Sequence, residues 1–118
     1  KVDDIMNQVK DINGVKFLGA KVDGIDGGAL RNMGDELKQK IGSGIIILAS
    51  DLKDKVIFVA AVTDDLTDTY QAGKIIGQVA RVTGGGGGGR PDMAQAGGKN
   101  PEKIGEALEK AEEIIAEK

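Results

Sequence analysis

The chain has no cysteine, no histidine and no tryptophan, and only two prolines and three aromatic residues, Phe17, Phe58 and Tyr70. Without thiols or imidazoles there can be no disulfide, no thiol nucleophile, no Ser-His pair and none of the usual zinc ligand sets. Three rings are too few for a platform on which successive bases stack. No long apolar run and no charged-then-apolar leader is present, so neither a membrane partner nor export is expected, and a cytoplasmic setting follows as the default. A formal charge of −3 argues against a general polyanion binder.

What is abundant is glycine, and much of it lies in one stretch, Gly84 to Gly98, reading GGGGGGRPDMAQAGG. Each glycine loses more backbone freedom on folding than alanine, so six in a row cost about 3–6 kcal/mol. A loop whose backbone must approach a flat or anionic surface would justify that cost, its amides turned outward and Arg90 adding a charged fork. Pro91 suits the first position of a short helical turn, Asp92 its positive end, and Gly97 with Gly98 a left-handed closure. A flexible linker is the alternative, but residues 99–118 are too few for a second core. Charge is also uneven: residues 70–99 carry Lys74, Arg81, Arg90 and Lys99 against Asp92 alone, a net +3, whereas residues 100–118 carry −3.

The 118 residues suit one domain. Lys1 is not an initiator residue, so the chain is expected to be cut from a longer one. Val2, Ile5, Met6 and Val9 recur at helical spacing, stopped by Asn13-Gly14; residues 1–14 read as the end of a preceding helical segment and 15–118 as the globular domain. A strand is expected over Val15–Asp23. Asp26 caps a helix whose stripe is Leu30, Met33, Leu37 and Ile41, ended by Gly42. Gly44–Ser50 and Val56–Val62 are nearly continuous apolar runs, the pattern of central strands, and the short polar link between them favours an antiparallel pair. Asp68 with Gln71 resembles a capping box opening a helix that buries Ala72, Ile75, Ile76, Val79 and Ala80. Asn100 and Pro101 begin a last helix with Ile104, Ala107, Leu108, Ala111, Ile114 and Ile115 inward. The fold class is therefore α/β, an α+β sandwich whose mixed or largely antiparallel sheet is covered by helices and carries a glycine-rich binding loop.

Other chemistries fare poorly. Gly84, Gly86 and Gly89 satisfy GxGxxG trivially but follow a helix rather than a strand, and no Lys-Ser or Lys-Thr closes the run as a phosphate loop requires. Asp64, Asp65 and Asp68 read as a solvated turn and helix cap before they read as a cation site.

The glycine run joined to Arg90-Pro91 and then Ala94-Gln95-Ala96-Gly97-Gly98, after a helix ending QVARVTG, resembles the C-terminal domain of alanyl-tRNA synthetase. That domain is related to the nucleic-acid-binding domain that accompanies DHH phosphoesterases. Those relatives usually carry a histidine near the end of a shorter glycine run, and Arg90 in that place points to the synthetase branch. The resemblance covers the chain from about Val15 and implies binding of the outer corner, or elbow, of tRNA, bringing the aminoacylation and editing domains of the same synthetase to one tRNA. It implies no catalytic residue and no cofactor or metal in this fragment, since ATP and zinc belong to other parts of the parent ligase.

Combined with the residue chemistry, it assigns RNA contacts to Arg81, Gly84, Gly85, Gly86, Gly87, Gly88, Gly89, Arg90, Pro91, Gln95, Gly97, Gly98 and Lys99. Gln95 either meets a base or sugar or steadies the loop through a glycine carbonyl, while Met93 and Ala94 are expected to pack beneath it. The alternatives are an assembly module that makes a homo-oligomer, and a single-stranded nucleic-acid-binding accessory domain of a DHH-type phosphoesterase.

Overall fold

The computed structural model describes residues 2–117, with side chains from Asp4 to Glu117; Lys1, Lys118 and the side chain of Val2 in the expected N-terminal stripe lie outside the described residues. Its centre is the pair of apolar runs. Ile45–Asp51 (β3) and Val56–Val62 (β4) pair antiparallel over their full length, Ile45 opposite Val62 and Asp51 opposite Val56, and nearly every side chain of both is buried. Burial on both sheet faces is what a continuous apolar run demands, and helices lie on both faces.

Before them come α1 (Val2–Met6), β1 (Lys10–Ile12), β2 (Val15–Lys21) and α2 (Gly27–Ile41); after them α3 (Ala72–Val82), β5 (Gly86–Gly89), β6 (Met93–Gly98) and α4 (Ile104–Ala116). The six strands lie in the order β1-β2-β3-β4-β6-β5, with only β2 and β3 parallel. That parallel pair exists because α2 carries the chain back between β2 and β3, as a parallel crossover requires. Leu30, Leu37 and Ile41 of α2 meet Leu18, Ile46, Leu48 and Val59 on one face. On the other, Ile75, Ile76 and Val79 of α3 and Ile104, Ala111 and Ile115 of α4 meet Phe17, Ile47, Phe58 and Ala60. Asp26 caps α2 as its spacing implies, its Oδ1 accepting the Ala29 amide at 2.9 Å, and Gly42 ends that helix at φ 77°. In the α2 stripe Met33 is only half-buried, and Gly34 instead lies flat beneath the helix.

Four local expectations are corrected. The N-terminal helix stops at Met6: Lys10–Ile12 pair with β2 across the turn at Asn13 (φ 53°) and Gly14 (φ 88°), a left-handed pair suited to a tight hairpin. Asp68 and Gln71 form no capping box, because α3 begins only at Ala72 and its first amide is taken by the Pro91 carbonyl at 2.7 Å. Asn100 makes no side-chain cap; Pro101–Lys103 form a 3₁₀ turn that leads into α4. The largest change concerns the glycine stretch, which is a hairpin rather than a loop with a helical turn.

Candidate functional site: the glycine hairpin

Gly86–Gly89 form one of the two edge strands of the sheet, paired with β6 so that Gly86 faces Gly97, Gly87 faces Ala96, Gly88 faces Gln95 and Gly89 faces Ala94. Glycine is a poor strand former, and helix α3 explains why this strand exists. Gly73 and Gly77, one turn apart on α3, lay the helix backbone directly on the strand: a Cβ at Gly73 would stand 2.7 Å from the Gly89 carbonyl oxygen, and one at Gly77 3.3 Å from that of Gly87. The strand is also held at both ends. Ala72 binds the Pro91 carbonyl at the tip; at the base Gly84 (φ 81°) turns the chain out of α3, and the Gly85 amide donates to the Ala80 carbonyl at 3.0 Å. Buried Thr83 completes the base, its carbonyl accepting from the Lys99 and Asn100 amides.

The glycines therefore divide into two sets. A side chain at Gly85, Gly87 or Gly89 would strike β6, with Ala96 only 2.5 Å from a Cβ on Gly87 and Ala94 2.9 Å from one on Gly89. At Gly86 nothing lies within 4 Å, and at Gly88 only the Gly73 carbonyl reaches that limit. By register Gly86, Gly88 and Gly97 share the Gln95 face of the hairpin, and all four are exposed. The result is a flat strip of bare backbone.

Arg90 stands at the tip, its side chain 69% exposed and its Nε 3.4 Å from Asp92, which Lys38 also approaches at 3.5 Å. Such an exposed pair is weak and leaves the guanidinium accessible. Pro91 and Asp92 make the hairpin turn, closed by the Arg90 amide donating to the Met93 carbonyl at 3.1 Å, so the expected helical turn and left-handed Gly97-Gly98 closure are replaced by β-structure. Met93 and Ala94 are buried, as packing residues should be. Gln95 reaches the Gly27 carbonyl at the start of α2, its Nε2 donating at 3.1 Å. It does steady the hairpin through a glycine carbonyl, although that glycine belongs to another element.

Arg81 and Lys99 sit with Gly84 and Gly98 at the base of the hairpin, a four-residue strand of about 13 Å away from Arg90. The basic candidates thus mark two ends of the strip. Sequence reasoning missed Arg31: α2 places it beside Gly88, Gly89, Arg90 and Gln95, where it lines the groove on the bare face and makes no ion pair among the described residues. Nothing in the local pattern of α2 marks it, because only the packing of α2 against the sheet brings it to the hairpin.

Within the acidic run it is the Asp65 carboxylate that is engaged, by hydroxyls. Ser43 and Thr63 both donate to the Asp65 carboxylate, and among the described residues no group of three or more acidic side chains could hold a metal. The Ser43 hydroxyl foremost, then that of Thr63, holds the Asp65 carboxyl below its ordinary value, against a smaller opposing effect of desolvation. A depressed folded-state value adds stability above the unfolded value, about 3.9, that is lost as pH falls through the folded value. In Asp65→Asn the melting temperature should therefore fall less steeply than in the wild type between about pH 5 and pH 2. Parallel melting curves across that range would refute the assignment.

Residues 14–117 match the family model described as the DHHA1 domain. The chain belongs to the DHHA1 domain family. It is 57% identical over 105 residues to an alanine–tRNA ligase of Geobacillus kaustophilus and 47% identical over 116 residues to that of Natranaerobius thermophilus. These alignments cover 88% and 98% of this chain but only 12% and 13% of the ligases. Among solved structures, the C-Ala domain of Aquifex aeolicus alanyl-tRNA synthetase superposes with a TM-score of 0.87 at 33% identity, over 92% of this chain and 97% of that one. This DHHA1 domain is thus of the alanyl-tRNA synthetase C-terminal kind. A DHH-domain protein described as a member of the s1p family of ribosomal proteins shares the fold, with a TM-score of 0.67 at 14% identity over 98% of this chain and 29% of that one.

Proposed function

We propose that this domain is the tRNA-binding C-terminal part of a cytoplasmic alanine–tRNA ligase, seating the outer corner of tRNA on the bare face of the glycine hairpin. The observation that carries the reading is the exposed backbone strip of Gly86, Gly88 and Gly97, ending at the accessible Arg90. A surface without side chains can lie against an exposed base pair or a sugar-phosphate chain, reading shape rather than sequence. Arg90 and Arg31 neutralise phosphates at the tip, and Arg81 with Lys99 does so at the base. Gln95, already bound to α2, positions the strip and meets RNA only secondarily. Held there, one tRNA is presented to the aminoacylation and editing domains of the same chain, which bring the ATP and zinc chemistry that this domain does not contribute. Homo-oligomer formation is the other reading. A module built for it would display an apolar face, whereas among the described residues no large hydrophobic side chain is exposed.

Arg90→Ala tests the proposal. Its loss removes one phosphate contact, so tRNA affinity should drop by about 1–3 kcal/mol and the dependence on salt should become shallower by about one unit. Melting should stay at the wild-type temperature, since only a screened surface pair with Asp92 is lost. Unchanged affinity and unchanged slope would remove the tip from the interface.

A further inference from the structure

We propose that the cleft between α3 and α4 is a pocket for a single unstacked nucleobase. Its biological occupant rests on the RNA reading above, but the pocket itself can be tested without tRNA. The cavity is about 210 Å³, below the roughly 300 Å³ at which sites for whole ligands begin, and so of a size for one flat ring system with its sugar left outside.

Its inner wall is apolar, made by Tyr70, Ile75 and Ile114. Each is nearly covered, at 6%, 3% and 8% exposure, and the Tyr70 hydroxyl is turned away to the Ile115 carbonyl at 3.4 Å, which leaves the ring itself as wall. The rim is polar. Gln71, the extended residue just before α3, and Gln78, on α3 itself, both line it, and neither side chain has a partner among the described residues. A carboxamide offers both a donor and an acceptor, the combination that a base edge presents in return.

Lys74 lies between them in the α3 sequence and lines two concavities at once: this pocket, and the groove formed by Gly73, Gly88, Gly89 and Pro91. Lys74, unpaired among the described residues, is thus within reach of a backbone phosphate that passes between the groove and the pocket. Asp68, which also lines the pocket, disfavours a phosphate inside. The charges therefore orient the ligand with its base inward and its phosphate toward Lys74. Unstacked bases of loops and ends are the part of an RNA that proteins read by such insertion.

The test is an amide chemical-shift titration of the ¹⁵N-labelled domain with AMP, GMP, CMP and UMP, each at millimolar concentration, with ribose 5-phosphate as control. We expect shifts at Thr69, Gln71 and Gln78 with at least one nucleotide and none there with ribose 5-phosphate. The variant Gln71→Ala/Gln78→Ala should weaken that binding about fivefold or more, the scale of lost hydrogen bonds, and lower tRNA affinity without altering its salt slope. Arg90→Ala should leave the nucleotide shifts intact. Absence of shifts at the pocket with all four nucleotides, or the same shifts with ribose 5-phosphate, would overturn the proposal. Nucleotide shifts in a domain that fails to bind tRNA would keep the pocket and remove the tRNA reading instead.

Discussion

Gly87→Val is expected to lower the melting temperature by roughly 10 °C or more, the scale of a loss of about 3 kcal/mol in a domain of this size. The cause is internal. A Cβ at Gly87 would lie 2.5 Å from both the Cα and the Cβ of Ala96, and the Gly87 carbonyl is pressed against Gly77 on the other side. Neither neighbour is the free end of a flexible side chain: one is an interior residue of β6, and the other is backbone of a helix whose Ile76 and Val79 are fully buried. The strand cannot move away without breaking its ties at Pro91 and Ala80, which hold its two ends to α3. Thermal melts check the stability, and hydrogen exchange at residues 86–89 tells whether the hairpin peels away alone. A variant that melts with the wild type and keeps its exchange protection would show that the close approach of β5 to β6 is not a constraint.

The double variant Gly86→Val/Gly88→Val should do the reverse. A Cβ at Gly86 meets nothing within 4 Å, Gly88 is similarly open, and neither glycine has a positive φ. Valine favours extended backbone and restricts the unfolded chain, so the fold should be as stable as before or slightly more so. tRNA affinity should nevertheless fall by about a hundredfold or more, some 2.8 kcal/mol, because two branched side chains now stand on the strip that RNA must approach. No charge is removed, so the loss should be the same at every salt concentration, unlike that of Arg90→Ala. Binding is measured across a salt series, with sedimentation to show that the more strand-prone edge has not begun to pair between molecules. Wild-type affinity in this variant would mean that the glycines serve packing alone and that RNA is bound elsewhere.

These variants separate two demands that the glycine run meets together, and the sequence made only one of them visible. That a backbone must be closely approached was legible from six consecutive glycines, since nothing else compensates their conformational cost. That the approaching body is in the first place helix α3 was not. Its trace in the sequence is Gly73 and Gly77, four residues apart on a helix otherwise rich in isoleucine and valine, and that spacing acquires meaning only once β5 is known to lie beneath it. A strand of glycines has no alternation of apolar and polar side chains, so the period-2 signal by which strands are recognised is absent by construction. In β6 the signal exists, with Gln95 exposed between buried Ala94 and Ala96, but Pro91 and the flanking glycines made a short turn the more natural reading.

By itself the sequence determined the core and much of the element order. The apolar runs Gly44–Ser50 and Val56–Val62 read as buried strands, found at Ile45–Asp51 and Val56–Val62, and the apolar stripes of α2, α3 and α4 called for a sheet to cover them, because burying that surface is the main favourable term available. It also determined the chemistry that is excluded, through the missing cysteine and histidine, and it carried the family in the joined glycine, arginine and alanine-glutamine motif. Only the tertiary structure decided that β2 lies parallel to β3, that the glycines form the edge of the sheet, that Arg31 stands beside Arg90 while Arg81 and Lys99 lie at the far end, and that Gln95 is tied to α2. Each of these depends on contacts between residues distant in the chain. Local propensity and periodicity report which face of an element is buried, but not which neighbour buries it.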